Sequence, residues 1–202
     1  MRGELTAKGR ATRRRIVEGA AAVLRERGVA STTLDDIMAR TATSKSQLFH
    51  YFPAGKDELL VEVARFEADQ VLADQQPQLG RLDSWEAWQE WRDVVIERYE
   101  TQGDQCPLGS LFLQIGRTTP GTRAIVVELL RQWQESLAAG IRSLQASGAL
   151  PADLDVDTRA AALLTAIQGG VSILLSTGRS AHLRAALDQG IADLWQAGAT
   201  AR

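Results

Sequence analysis

Apolar positions recur at three- and four-residue spacing along most of this chain, and strand-like alternation is scarce, so the pattern predicts an all-α protein. Ile16, Ala20, Val23 and Leu24 form the stripe of a first helix over residues 12–28, stopped by Gly28. Residues 1–9, polar with Gly and Lys, read as a mobile arm. Leu34, Ile37 and Met38 give the inner face of a short second helix, capped by Thr32 or Thr33 and started by Asp35 and Asp36. Thr41-Ala42-Thr43 makes a turn, and Ser44 caps a third helix over residues 45–51. Leu48 and Phe52 face inward from it, leaving Lys45, Ser46, Gln47, Phe49 and His50 outside. Two short helices joined by a tight turn, with Lys, Ser, Gln and His on the outer face, form a helix-turn-helix suited to a DNA major groove. Gln can pair bidentately with adenine, and Lys and His can reach guanine or phosphate.

Six further helices follow from caps and breakers, making nine in all. Residues 56–74 form the connecting helix with Leu59, Leu60, Val63 and Phe66 inward, and residues 75–81, with Pro77 and Gly80, form a linker. Asp83 or Ser84 caps a helix over 85–101. Cys106 caps a short one from Pro107 to about 117, and a long one runs from Thr119-Pro120 to 147. Asp155 or Asp157 opens the eighth, through Ala160, Leu163, Ile167, Val171 and Leu174. The ninth spans 180–196. The apolar stretch at Ile173 to Leu175 reads as part of a mixed helix far shorter than a membrane span.

The run Ser44-Lys45-Ser46-Gln47-Leu48-Phe49-His50-Tyr51-Phe52-Pro53, then Gly55-Lys56-Asp57-Glu58-Leu59-Leu60, resembles the signature of the tetracycline-repressor (TetR) family. The resemblance covers the first quarter of the chain, including the helix before the motif. The usual turn glycine is Ala42. The usual Tyr is Phe49, which removes one phosphate-contacting hydroxyl. One extra residue lies before Lys56, as in a branch reading "FPxGK"; Cys106-Pro107-Leu108-Gly109-Ser110 resembles a segment of the same branch. The resemblance implies a nine-helix architecture: a DNA-binding domain, 1–56, and an effector-binding and dimerisation domain, 57–202. It also implies a cytoplasmic homodimeric repressor, bound to a pseudo-palindromic double-stranded operator and released by a small molecule. Thr33, Ser44, Lys45, Ser46, Gln47, His50, Tyr51 and Lys56 are the expected DNA-contacting residues.

Charge distribution supports this division. The whole chain carries −2. Residues 1–56 hold eleven Lys and Arg against five Asp and Glu, a net +6, and the remainder holds twelve against twenty, a net −8. A basic module joined to an acidic one is the footprint of a nucleic-acid reader attached to something else. Arg10, Arg13, Arg14 and Arg15 stand where they can reach phosphates or the minor groove.

The expected effector is apolar or aromatic, held among Trp88, Trp91, Val95, Cys106, Phe112, Trp133 and Gln168; each tryptophan taken singly reads as core, with at least one of them expected at the pocket. Cys106 is the chain's single cysteine. At a helix start its thiol can be acidic and accessible, a sensor of electrophiles, or a buried packing residue. The apolar faces Leu163, Leu164, Ile167, Gly170, Val171 and Leu174, and Leu183, Leu187, Ile191, Leu194 and Trp195, offer a dimer surface unless the body's own core consumes them. The connecting helix is the expected lever between the two halves. No Ser-His-Asp set, His-x-x-x-His pair or phosphate-cradling Gly loop is present, so a helical enzyme is the weaker alternative, and no cofactor or metal is expected. Asp153, Asp155 and Asp157 lack a calcium loop's closing Glu and read as capping residues.

Overall fold

A computed structural model describes residues 5–199. Among them there are nine α-helices and no strand. They are α1 (Ala7–Arg27), α2 (Leu34–Thr41), α3 (Lys45–Tyr51), α4 (Lys56–Ala73), α5 (Trp85–Gln102), α6 (Pro107–Gly109), α7 (Pro120–Ala146), α8 (Val156–Thr177) and α9 (Ala181–Ala199). The first helix begins earlier than the sequence pattern suggests, because Thr6 accepts the Gly9 N–H at 3.1 Å and caps it. The mobile arm expected over residues 1–9 is therefore helical from Ala7; residues 1–4 lie outside the described residues. The short helix expected from Pro107 continues from α6 as a π-helical turn, Ser110–Ile115.

Packing divides the chain into two compact units: the described residues up to Val71 with Gln105–Val127, and Leu72–Asp104 with the described residues from Glu128 onward. This differs from a division at residue 56. That boundary follows charge, whereas α4 buries Leu59, Leu60, Val63 and Ala64 in the core of the first unit.

In the first unit α1 and α2 pack closely. A Cβ on Gly19 would stand 2.3 Å from Thr41 Cγ2, so only glycine admits that approach. In the second unit α8 and α9 pair through two glycines. A Cβ at Gly170 would lie 2.6 Å from Leu183 Cα, and one at Gly190 2.4 Å from Leu163 Cδ2. Of the acidic triplet, Asp155 caps α8 by accepting the Thr158 N–H at 3.1 Å, and Asp157 lies in the first turn, 3.2 Å from Arg142. With 22 residues and a mean hydropathy of 1.6 over an 18-residue stretch, α8 is long and apolar enough to cross a membrane, contrary to the short mixed helix expected. Its apolar excess has another use: Leu163, Leu164, Ile167, Val171 and Leu174 are all buried inside the monomer.

Candidate nucleic-acid interface and effector-binding residues

The helix-turn-helix is built by two reciprocal caps. Thr33 Oγ1 accepts the Asp36 N–H at 3.2 Å, and Asp36 accepts the Thr33 N–H at 2.9 Å. The Thr33 hydroxyl and N–H, and then the Arg27 guanidinium, hold the Asp36 carboxyl below its usual range. Ser44 Oγ accepts the Gln47 N–H at 3.2 Å, and Gln47 Oε1 accepts the Ser44 N–H at 3.3 Å. Between them Ala42 turns the chain in the left-handed region, φ 46 and ψ 47. Thr41 Oγ1 donates to Ile37 O at 2.7 Å and Thr43 N to Met38 O at 3.0 Å, which ties the turn to α2.

Leu48 and Phe52 are fully buried and fix how α3 sits on the unit. Ser44, Lys45, Ser46, Gln47, Phe49 and His50 are exposed; Tyr51 is half-buried, edge-on to the His50 ring with centroids 4.9 Å apart. The face expected to meet DNA is thus available to solvent, with Thr33 and Ser44 serving first as caps.

Lys56 departs from the expectation. Its half-buried ammonium donates to Val29 O at 3.0 Å and Thr32 O at 2.5 Å, so it clasps the loop between α1 and α2 instead of standing free for a phosphate. Its place one residue after Gly55, at φ +69, brings it back over that loop. Arg13 is similarly engaged, 2.8 Å from Glu62 and over the Phe52 ring at 5.2 Å. Arg14 pairs with Glu18 at 2.8 Å, and Arg10 donates to Leu5 O at 2.6 Å; Arg15 is exposed.

Sequence reading missed the buried pair Arg25–Glu67. Nη1 of Arg25 donates to both Glu67 oxygens, at 2.7 and 2.8 Å, joining α1 to α4. Burial pushes the Glu67 carboxyl up from 4.5 to about 7, with Arg25 pulling the other way. A charged residue at a core position of an apolar stripe was the available signal, since Glu67 lies one turn past Val63.

Trp88, Trp91, Val95 and Trp133 are all fully buried in the second unit. Trp88 and Trp91 meet edge to face with centroids 5.6 Å apart. Trp91 Nε1 donates to Gln75 Oε1 at 3.1 Å. The indole N–H groups of Trp88 and Trp133, and the Gln168 Nε2, are buried without a hydrogen-bond partner. Cys106 and Phe112, expected in the same ligand set, belong to the first unit. Cys106 is 1% exposed and its Sγ accepts the Gly109 N–H at 3.4 Å, so the accessible thiol expected of a sensor is instead a packed helix cap.

The family profile described as "Bacterial regulatory proteins, tetR family" matches residues 16–63, and "Tetracyclin repressor-like, C-terminal domain" matches residues 81–189. The chain belongs to the tetR family. An HTH-type transcriptional regulator of Mycobacterium tuberculosis is 27% identical over 110 residues, 52% of this chain and 53% of its own. The chain thus spans about half the length of that relative. A TetR regulator from Chloroflexus aurantiacus shares the fold with a TM-score of 0.77, at 23% identity over 95% of this chain and 98% of its own. The SmeT–triclosan complex aligns with a TM-score of 0.67, at 21% identity over 91% of each chain. The tetR profile spans α2, α3 and the start of α4, the elements that carry the two caps and the Lys56 clasp.

Proposed function

We propose that this protein is a homodimeric transcriptional repressor that leaves its operator when a small molecule binds the second unit. The exposed polar face of α3, closed at its start by the Ser44–Gln47 caps, is the observation that carries the reading. A single short helix reads too few bases for tight binding, so a pair of copies placing two such helices in successive major grooves, about 34 Å apart, is the arrangement this reader suits. Lys45, Ser46, Gln47 and His50 are assigned to base and phosphate contact. Lys56 is assigned to holding the loop.

The dimer surface needs revision from the sequence expectation. Leu163, Val171, Leu183 and Leu187 are at most 4% exposed in the monomer, so they build the α8–α9 core. The outer face of α8 remains: Ala162, Thr165, Gly169, Ser172, Ile173 and Ser176 are exposed at three- and four-residue spacing. A Cβ on Gly169 would meet nothing within 4 Å, so the monomer does not require glycine there. Small, uncharged residues on one stripe let a second helix approach closely, and we assign this stripe to the partner copy.

SmeT was solved with triclosan, a small aromatic molecule. The tryptophan-rich second unit supports an apolar or aromatic effector here too. Moving such an equilibrium from 1:99 to 99:1 takes roughly 5.5 kcal/mol of differential affinity between the two states. The test is selection of bound genomic fragments, followed by titration of the selected operator with wild type and Gln47→Ala. Gln47→Ala is expected to change base preference with a loss of about 1–3 kcal/mol at one position. Unchanged affinity and preference would remove α3 from the reading role.

A further inference from the structure

We infer that the effector is a neutral, flat, carbonyl-bearing molecule, one that accepts hydrogen bonds and has none to donate. Trp88, Trp133 and Gln168 would recognise it. The inference rests on reading the second unit as the effector-binding half. Among its described residues, every unpaired buried side-chain polar atom is a nitrogen donor: Trp88 Nε1, Trp133 Nε1 and Gln168 Nε2. Buried donors in folded proteins are nearly always paired. The same unit can satisfy an indole, as Trp91 donating to Gln75 shows. An indole N–H donates only, so a molecule that completes Trp88 and Trp133 must bring acceptors.

Charge narrows the class further. Besides the indoles, Gln75 and Tyr99 are the buried residues of this unit with a polar side-chain group, and none of its buried residues is charged, among the described residues. A carboxylate ligand would lie among these groups without a buried Lys or Arg, and an ammonium ligand without a buried Asp or Glu. Either would be a charge removed from water and left unpaired. The combination of aromatic surroundings, donors only and no buried counter-charge fits ketones, quinones and lactones of aromatic type. It does not fit aromatic acids, phenols acting as donors, or amines.

Fluorene, fluorenone and fluorene-9-carboxylate share one ring frame and differ in the polar group, so they serve as probes of the full chain. Fluorenone is expected to bind at least roughly tenfold tighter than fluorene, the gain of about one well-made hydrogen bond. It is also expected to bind tighter than the carboxylate. In protein labelled with 15N at tryptophan, the indole N–H signals of Trp88 and Trp133 are expected to move with fluorenone and not with fluorene, while that of Trp91 stays. Trp88→Phe keeps an aromatic ring at the position and removes the donor. It should erase most of the preference for fluorenone over fluorene, whatever it does to the affinity for both. Gln168→Met provides a second variant if Trp88→Phe fails to fold.

Equal affinity for fluorene and fluorenone overturns the donor assignment. Tightest binding of the carboxylate overturns the neutral class. If none of the three binds while another compound releases operator DNA, the acceptor class falls and the effector reading stands. If no compound in a broad library releases DNA, the effector reading falls and takes this inference with it.

Discussion

Replacing Glu67 with Gln removes a titrating group from the core and keeps nearly the same shape. The Glu67 side chain is fully buried, and its carboxyl is pushed from 4.5 to about 7 by that burial, against the pull of Arg25. Below pH 4.5 the folded and unfolded chains both carry the proton. Between 4.5 and about 7 the unfolded chain has lost it while the folded chain retains it, so the folded state binds more protons and stability falls as pH rises. Above about 7 both are ionised and the dependence ends. The gap between 4.5 and about 7 corresponds to about 3 kcal/mol at most. Urea unfolding of wild type and Glu67→Gln at pH 5, 6, 7 and 8 measures it, because groups common to both proteins cancel in the difference. Wild type is expected to lose about 2 kcal/mol relative to the variant between pH 5 and 8, the rest of the change falling below pH 5. A difference that stays constant would show that burial does not perturb the carboxyl. A wild type that gains on the variant with rising pH would show that the Arg25 pair dominates.

Lys56→Met should cost about 1–3 kcal/mol of stability, the worth of charge-assisted bonds to Val29 and Thr32 carbonyls, and leave the salt slope of DNA binding unchanged. A slope lower by about one would restore Lys56 as a phosphate contact. Ala42→Gly should raise stability by about 1 kcal/mol, measured as a shift in the urea midpoint, since Ala42 is exposed at φ 46. A loss would mean that the alanine methyl is needed by the turn. Ile173→Arg, on the outer face of α8, should give a folded monomer by sedimentation and circular dichroism. Val171→Arg, 2% exposed, should give unfolded or insoluble protein. A dimeric Ile173→Arg protein would move the interface elsewhere.

Caps and breakers made most of the fold legible. Ser44, Ser84, Cys106 and Asp155 cap the helices expected of them, since each acts on its own backbone within three residues. Leu48 and Phe52 went inward for the same local reason. What was not legible depends on residues far apart in sequence. The clasp of Lys56 on Val29 and the pairing of Arg25 with Glu67 span 27 and 42 positions, and a charged side chain carries no mark of which partner it will meet. The apolar faces of α8 and α9 were visible as faces. Periodicity does not distinguish a face that meets its own chain from one that meets a second copy, and here the close approach at Gly170 and Gly190 joins the two within one monomer. Cys106 was recognised as a cap, but its 1% exposure depends on the packing around α6.

The amide of Gln47 faces in a direction set before any DNA arrives. The Ser44 N–H can only donate, so the carbonyl end of the Gln47 side chain must turn toward it and the NH2 end toward solvent. In that posture Gln47 presents its NH2 hydrogens to incoming bases, suited to guanine N7 and O6 or to thymine O4. Adenine asks for a hydrogen and a lone pair together, so the carbonyl must either lend its second lone pair while still holding Ser44 or let go of Ser44. A chain sliding over arbitrary sequence can keep the helix start closed. Stopping at an adenine engages the same carbonyl from a second side, so the start of the helix and the base it reads share one oxygen on commitment and not during search.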